Sequence, residues 1–252
     1  MSRLLFFSIA LALVSFAGCQ KDGQLSENPP MEGFNLKDSD PKALEIADQV
    51  MAALGGRKNW DNTRYIAWNF FGRRRHVWDK WSGNLRMESK NGVVLMNLHT
   101  GQGRAWENGQ EVAHPDSLAE RLKFAKSAWI NDGYWLLMPY KLKDTGVTLK
   151  YLGETTMENY GPCDILQLTF TGVGDTPQNK YWVYVNRESK LVVYWSYFSD
   201  AGDSEPRIST PWGNWQRHGN IMLSGERGPN RQISDIEVFS ELPASLFTDP
   251  GP

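Results

Sequence analysis

Metal-binding and catalytic patterns are scarce in this sequence. Its 252 residues include two cysteines and four histidines, and no HxH, HExxH or paired CxxC spacing brings metal ligands together. We therefore expect no metal site. GxSxG and P-loop motifs are absent as well, so we expect neither a cofactor nor enzyme activity. The net charge is −2 with basic residues spread along the chain, which argues against a nucleic-acid partner.

One long apolar run stands at the start of the chain. Met1-Ser2-Arg3 carries one positive charge, and Leu4–Ala17 follow without any charge. These 14 residues are typical of the apolar region of a secretory signal peptide. They are fewer than the ~20 residues that a membrane-spanning helix needs. The sequence therefore predicts that residues 1–18 are a signal peptide.

The end of this run, Phe16-Ala17-Gly18-Cys19, resembles the lipobox of bacterial lipoproteins, although Phe16 replaces the usual Leu. In that motif the signal peptidase accepts only small residues before the cysteine, whose thiol takes up a diacylglyceryl group. The resemblance implies that Cys19 becomes the acylated, membrane-anchored first residue of the mature chain. The alternative is an ordinary secretory signal that is cleaved elsewhere.

The residue after Cys19 indicates which membrane would hold the anchor. Gln20 is not the Asp that retains Gram-negative lipoproteins in the inner membrane. We therefore expect a lipid-anchored protein of the outer membrane, on its periplasmic face or at the cell surface.

Residues 19–39 are predicted to form a flexible tether. They are polar, contain Pro29-Pro30 and show neither strand nor helix periodicity. Residues 40–252 contain no second linker, repeat or low-complexity segment, which predicts a single domain. With Cys19 acylated, Cys163 has no disulfide partner. We interpret Cys163 as a buried apolar residue, because no activating side chain lies near it in the sequence.

The domain begins with a predicted amphipathic helix over Asp40–Leu54. Its apolar residues recur at i, i+3, i+4 and i+7, and Gly55-Gly56 ends it. Short runs rich in Trp, Tyr, Phe and Val follow, separated by Gly or Asn turns that are too short for parallel crossovers. A helical insertion that starts at Pro115 interrupts them. The pattern predicts an α+β fold, mainly antiparallel β, with roughly a dozen strands.

Three stretches carry a resemblance to a known superfamily. The first helix ends MAALGG and leads into WDNTRYIAWNFFG, the insertion ends YWLLMPYKL, and the last strand runs into LPASLFTDP. In this order they resemble the LolA/LolB-like superfamily, and more closely an uncharacterised group of bacterial envelope lipoproteins with that fold. The resemblance implies a curved half-barrel of about eleven strands over residues 40–252. It also implies that the N-terminal helix and the central insertion cover an apolar cavity that holds acyl chains.

The aromatic residues also bear on whether the half-barrel encloses a cavity. The predicted strands Leu191–Phe198 and Tyr181–Val185 are apolar on both faces, so each face needs cover by protein core, a ligand or a docked partner. Tyr134–Met138 would form the lid of a cavity, and the alternative for this segment is simple core packing. The side chains that we expect to line the cavity are Trp68, Phe70, Trp78, Trp135, Leu137, Trp182, Tyr184 and Trp195.

A basic turn follows the first predicted strand. Arg73, Arg74 and Arg75 come directly after Gly72. Three adjacent arginines are typical either of a solvated turn or of a surface that contacts anionic lipid headgroups or a protein partner.

Together these features predict a lipid-anchored cell-envelope protein that binds or carries a hydrophobic or amphiphilic ligand, such as an acyl chain or a lipoprotein lipid, without catalysis. The alternative is a structural or protein-interaction lipoprotein whose half-barrel is filled by its own side chains. Hydrolysis of an envelope substrate is a third hypothesis. The volume inside the half-barrel separates the first two, because a ligand needs a continuous apolar cavity of a few hundred Å³ or more.

Acylation of Cys19 can be measured directly with labelled palmitate. The wild-type protein should incorporate the label in cells, and Cys19→Ser should abolish incorporation because the acceptor thiol is gone. Cys163→Ser is the matched control for the second cysteine and should be labelled like the wild type. Equal labelling of the wild type and Cys19→Ser would contradict the prediction.

Overall fold

The computed structural model describes residues 27–251, so the predicted signal peptide and Cys19 lie outside the described residues. The helices are α1 (Pro41–Ala53), α2 (Arg57–Asn62) and α3 (Pro115–Leu137), and short 3₁₀ turns cover Met138–Tyr140 and Ala244–Phe247. The strands are β1 (Tyr65–Phe70), β2 (Arg74–Asp79), β3 (Asn84–Ser89), β4 (Gly92–Asn97), β5 (Gly103–Glu107), β6 (Gln110–Glu111), β7 (Val147–Met157), β8 (Gly161–Phe170), β9 (Lys180–Asn186), β10 (Val192–Phe198), β11 (Ile208–Pro211), β12 (Gly213–His218), β13 (Ile221–Glu226) and β14 (Ile233–Phe239).

The strands of this part of the chain form three antiparallel sheets. Seven strands pair in the order β14-β1-β2-β3-β4-β5-β6, five in the order β11-β10-β9-β8-β7, and β12 pairs with β13. Over residues 27–251 the sheets do not close into a barrel. The predicted α+β half-barrel with a helical cover is confirmed, and the described strands number fourteen rather than about eleven.

Helix α3 packs against both large sheets. Trp129 meets Trp78 of the seven-stranded sheet with ring centroids 5.1 Å apart, and Tyr134 meets Tyr181 of the five-stranded sheet at 5.2 Å. The C-terminal half of the central helix therefore lies within the hydrophobic core. None of the helices in the described part of the chain is long and apolar enough to span a bilayer.

Three elements differ from the prediction. Helix α2 has six residues, which is too short for a periodic pattern to reveal it. Strand β11 ends at Pro211, and proline argues against a strand in any sequence-based assignment. The central insertion forms one continuous helix of 23 residues, so Tyr134–Leu137 are its last turn instead of a separate segment.

Part of the predicted tether packs on the domain. Phe34 is buried, the Asn35 amide donates to the Val147 carbonyl at 3.0 Å, and the Asp40 amide donates to the Leu149 carbonyl at 2.9 Å. These bonds cover the edge of β7, which would otherwise expose unpaired backbone groups. Any tether is therefore shorter than residues 19–39. The sequence could not show this, because the bonding partners lie more than a hundred residues apart.

Helix α1 forms where the apolar spacing predicts it, and the predicted stripe is buried. The side chains of this stripe are Ala43, Ile46, Ala47, Val50 and Met51. Asp40 stands at the N-cap position, but its carboxylate accepts hydrogen bonds from Lys150 and from the Tyr151 amide rather than from the helix. The first helix is thus tied to β7 by both packing and charge.

The docking of α1 can be tested with Val50→Asp. Val50 is fully buried, so a carboxylate there should lower the free energy of unfolding by several kcal/mol. Urea unfolding followed by circular dichroism measures the loss. Ala52→Asp adds the same charge on the exposed side of the helix and should cost much less. An unchanged midpoint for Val50→Asp would show that α1 is not docked.

Candidate functional site

A buried polar cluster joins β2 to α3. Side chains alternate along a strand, so Arg74, His76 and Trp78 share the face of β2 that meets the helix. Arg74 donates to both carboxylate oxygens of Asp132, with Nε–Oδ2 at 2.8 Å and Nη2–Oδ1 at 2.9 Å. His76 Nε2 lies 2.8 Å from Oδ2. The side chains of His76 and Asp132 are 0% exposed, so this is a buried contact between helix and sheet.

The charge on Asp132 is stabilised by its neighbours. Burial alone would raise the pKa of this carboxyl, but hydrogen bonds from His76, Arg74 and Asn131 outweigh it, and the pKa is lowered. The carboxylate therefore stays ionised and both oxygens are occupied by donors. Such an arrangement holds an ion pair in place and occupies the Asp132 carboxylate, so this carboxylate is not free to accept a proton from another group.

Several buried polar atoms in and around this part of the interior have no hydrogen-bond partner among the described residues. Trp68 stacks on the His76 ring at 4.8 Å, and unpaired nitrogens belong to Trp68, His76, Trp78 and Trp129. The Tyr134 hydroxyl and the Trp212 indole are unpaired as well. A buried polar group without a hydrogen bond costs about 1–3 kcal/mol, so these atoms are the feature of the interior that most favours a bound acceptor.

Most of the residues predicted to line a cavity lie in the core and contact one another. Five of them are buried: Trp68, Phe70, Trp78, Leu137 and Trp195. Trp135 is half-buried and packs edge-on against Trp195 with ring centroids 4.9 Å apart. Tyr181 stacks on the same Trp195 ring at 5.0 Å. These rings fill the space between α3 and the five-stranded sheet.

Trp182 and Tyr184 do not belong to the interior, contrary to the prediction. Along β9, Val183 and Val185 point into the core and are fully buried, so Trp182 and Tyr184 point to the opposite face. Tyr184 contacts Tyr194 there with ring centroids 5.7 Å apart. The strand is apolar on both faces because its outer face carries a half-buried aromatic layer.

The three arginines of the basic turn separate into different roles. Arg73 is exposed. Arg74 binds the buried Asp132, so the prediction that it contacts headgroups or a partner is wrong. Arg75 pairs with Glu237 of β14 at 2.7 Å on the surface. Alternation along β2 explains the difference, since Arg74 and Arg75 face opposite sides of the sheet.

The predicted lid is part of the core. Leu136, Leu137 and Met138 are fully buried, and Trp135 packs between Phe71 and Trp195. The hypothesis of simple core packing therefore fits this segment better than that of a movable cover.

Two open depressions mark the surface of residues 27–251. One has a volume of about 270 Å³ and lies between β4–β5 and the C-terminal segment at Phe247. The other has a volume of about 360 Å³ and lies between Met96 and the α3 residues Leu122 and Lys126. Neither is lined by the residues predicted for the ligand cavity.

The remaining reactive groups form no site within the described residues. Cys163 is fully buried, and desolvation raises the pKa of its thiol, which keeps it protonated and unreactive. No group of three or more His, Cys, Asp or Glu side chains in residues 27–251 is placed to hold a metal ion.

Sequence reasoning missed the residue at the centre of the polar cluster. Asp132 is the one acidic residue within the apolar stretch Trp129–Leu137, and a single charge on the buried side of a helix indicates a buried partner. The stretch could have suggested this. The partners themselves lie 56 and 58 residues away and have no local signature.

No family model and no curated protein matches this sequence. Solved structures with a similar fold include a DUF1329 family protein from Desulfovibrio piger, with 13% identity, a TM-score of 0.44 and coverage of 83% of this chain and 98% of that one. A LolA superfamily protein from Nitrosomonas europaea, NE2245, has 10% identity, a TM-score of 0.35 and coverage of 82% and 97%. MucB, in its complex with MucA from Pseudomonas aeruginosa, has 13% identity, a TM-score of 0.25 and coverage of 75% and 63%.

One of these structures belongs to the superfamily that the sequence resembles. The identities of 10% to 13% and the TM-scores below 0.5 limit these likenesses to the general fold. The function of this chain has to be inferred from its own residues.

The Asp132 cluster predicts a defined effect of Asp132→Asn. Breaking the buried pair should lower the free energy of unfolding at neutral pH by roughly 3 kcal/mol, the lower end for such pairs, because Arg74 reaches solvent. The folded pKa of Asp132 is below its unfolded value of about 3.9. Its stabilising effect is therefore complete above that pH and is lost as the pH falls through the folded pKa.

Urea unfolding of the wild type and the variant over a range of pH measures both effects. As the pH falls from neutral through the folded pKa of Asp132, the stability of Asp132→Asn should fall less steeply than that of the wild type. Asp116→Asn, in the exposed first turn of the same helix, is the control and should keep the wild-type profile. Identical acid profiles for all three proteins would refute a stabilising role of the ionised Asp132.

Proposed function

We propose that this chain is a non-catalytic binding protein of the bacterial cell envelope, anchored to the outer membrane through Cys19, with a half-barrel filled by its own side chains. It contacts its partner through its outer surface. The observation that supports this proposal is the packing of α3, whose Trp129, Tyr134 and Trp135 rings lie against strands of both large sheets.

The physical reason for this proposal is the lack of free space inside the half-barrel. A small-molecule pocket has a volume of about 300–1,000 Å³ and buries most of its ligand. Here the corresponding space holds Trp135, Tyr181, Trp195 and Trp212, with neighbouring ring centroids 4.9 to 5.3 Å apart. Rings at these distances are in contact, which leaves no room between them for an acyl chain.

Carriage of an amphiphile is the second candidate, and one observation favours it. The unpaired indole nitrogens of Trp68, Trp78 and Trp129 would be satisfied by a ligand with hydrogen-bond acceptors. Entry of such a ligand requires α3 to leave the sheet. That movement would separate Asp132 from Arg74 and His76, at a cost of about 3–5 kcal/mol.

A fluorescent fatty-acid probe separates the two candidates. We expect no saturable binding to the mature chain, residues 19–252, carrying Cys19→Ser so that no acyl group is attached. Trp135→Ala should lower the free energy of unfolding by about 3–5 kcal/mol, as expected for a core aromatic. Carriage would be favoured instead if the protein with Trp135 intact bound the probe saturably and Trp135→Ala changed the affinity for the probe.

Native mass spectrometry of the protein purified from its own host gives an independent measurement. The expected mass is that of the mature chain with acyl groups on Cys19 and no further lipid. A second, non-covalent lipid would contradict the filled interior. A mass without acyl groups would contradict the anchor while leaving the filled interior standing.

A further inference from the structure

Helix α2 and the β2–β3 hairpin form an exposed surface with basic and apolar side chains. Trp81, at the hairpin, is 56% exposed, and Met31 is 43% exposed. Lys58 of α2 is exposed as well. We call this surface the α2 patch and define it by Met31, Arg57, Lys58, Arg64, Lys80 and Trp81.

The α2 patch is a continuous, ordered surface. The Trp81 indole donates to the Asp61 carbonyl of α2 at 3.0 Å, and Lys80 Nζ donates to the same oxygen at 3.2 Å. Arg57 binds the Asp61 carboxylate at 2.8 Å. The polar end of the Trp81 ring is therefore satisfied by the protein, while more than half of the residue remains in solvent.

The charge of the α2 patch is opposite to that of the whole chain. Arg57, Lys58, Arg64 and Lys80 supply four positive charges, and the carboxylates paired with them, Asp61 and Asp79, supply two negative charges. The patch thus has a surplus of two positive charges, whereas the chain has a net charge of −2. A basic patch with an exposed Trp suits the membrane interface, where indole rings lie at headgroup level and Lys and Arg attract anionic lipids.

The path of the chain leads from this patch toward the proposed anchor. Arg57 Nη1 donates to the Pro29 carbonyl at 3.2 Å, and Nη2 lies 3.2 Å from the Met31 sulfur, so the N-terminal segment passes along α2 directly after Asn28 binds Asp48 of α1. Eight peptide units separate Cys19 from Glu27, the first described residue. Eight units span at most about 28 Å when fully extended and roughly 16 Å as a flexible coil.

We propose that the α2 patch lies on the membrane that holds the anchor, with the Trp81 ring at headgroup level and Lys58 and Lys80 against anionic lipid headgroups. This orientation rests on the proposed acylation of Cys19. Only an acylated chain keeps Glu27 within the reach of eight peptide units from the membrane. The affinity of the patch for lipid is a property of its own side chains and can be measured without the anchor.

Vesicle sedimentation tests the proposal with the mature chain, residues 19–252, carrying Cys19→Ser. The protein should sediment with vesicles of phosphatidylcholine and phosphatidylglycerol, and much less with phosphatidylcholine alone. Lys58→Ala should weaken the partition coefficient roughly fivefold, the value of one basic residue at an anionic surface. Trp81→Ala should weaken it to a similar extent, and added salt should weaken binding of the wild type.

Two residues of α3 provide matched controls. Phe124 is 51% exposed and Lys123 is exposed beside it. Arg74, at the opposite end of β2 from Trp81, lies against the Phe124 ring. Phe124→Ala and Lys123→Ala remove an aromatic and a basic side chain of similar exposure away from the α2 patch, and they should bind vesicles like the wild type. Circular dichroism at each sample temperature checks that all variants are folded.

The outcomes separate the patch from the anchor. Failure of the wild type to bind anionic vesicles, or an equal loss in the α3 controls, would overturn the membrane contact and leave a protein partner for this surface. Vesicle binding that is weakened to this extent in Lys58→Ala and Trp81→Ala, and not in the controls, supports it. Absence of palmitate from Cys19 in cells would remove the anchor alone, since the vesicle measurement does not depend on it.

Discussion

The C-terminal end of α3 depends on Arg227. In a continuous helix the Trp135 carbonyl would accept a hydrogen bond from the amide of residue 139, but Pro139 has no N–H. The Arg227 guanidinium takes this place, with Nη2 and Nε donating to the Trp135 oxygen at 2.7 and 3.2 Å. The same group lies 3.6 Å from the centroid of the Trp212 ring. One buried side chain therefore joins the central helix to the chain around β12 and β13.

Neutral oxygens stabilise the charge of Arg227. Burial lowers the pKa of its guanidinium, and the hydrogen bonds go to the carbonyls of Trp135, Ser224 and Glu226 and to the Ser224 hydroxyl. Carbonyls at a helix C-terminus carry partial negative charge, so this is a favourable place for a cation. A lysine could not replace it, because an ammonium lacks the planar fork that reaches several acceptors at once.

The sequence predicts the elements well and the connections between them poorly. The stripe from Ala43 to Met51 predicts α1 and its buried face because helical spacing is local information. The link between Arg227 and Trp135 spans 92 residues, and the β7 edge is covered by the segment around Asn35, 113 residues away from Thr148. Pairs at such separations leave no periodic trace. The aromatic content of β9 and β10 was compatible with core, cavity or patch, and the position of α3 favours core for their inner face.

Two charged contacts fix α3 within the half-barrel, and this determines where the protein can interact. Asp132 holds the helix to β2, and Arg227 holds its end, so the helix cannot swing away without breaking both contacts. The aromatic rings around it pack as part of the hydrophobic core. The surfaces left for recognition are those that α3 does not use. Among these surfaces, the α2 patch lies against the N-terminal segment. An anchor at Cys19 would therefore hold the α2 patch close to the membrane.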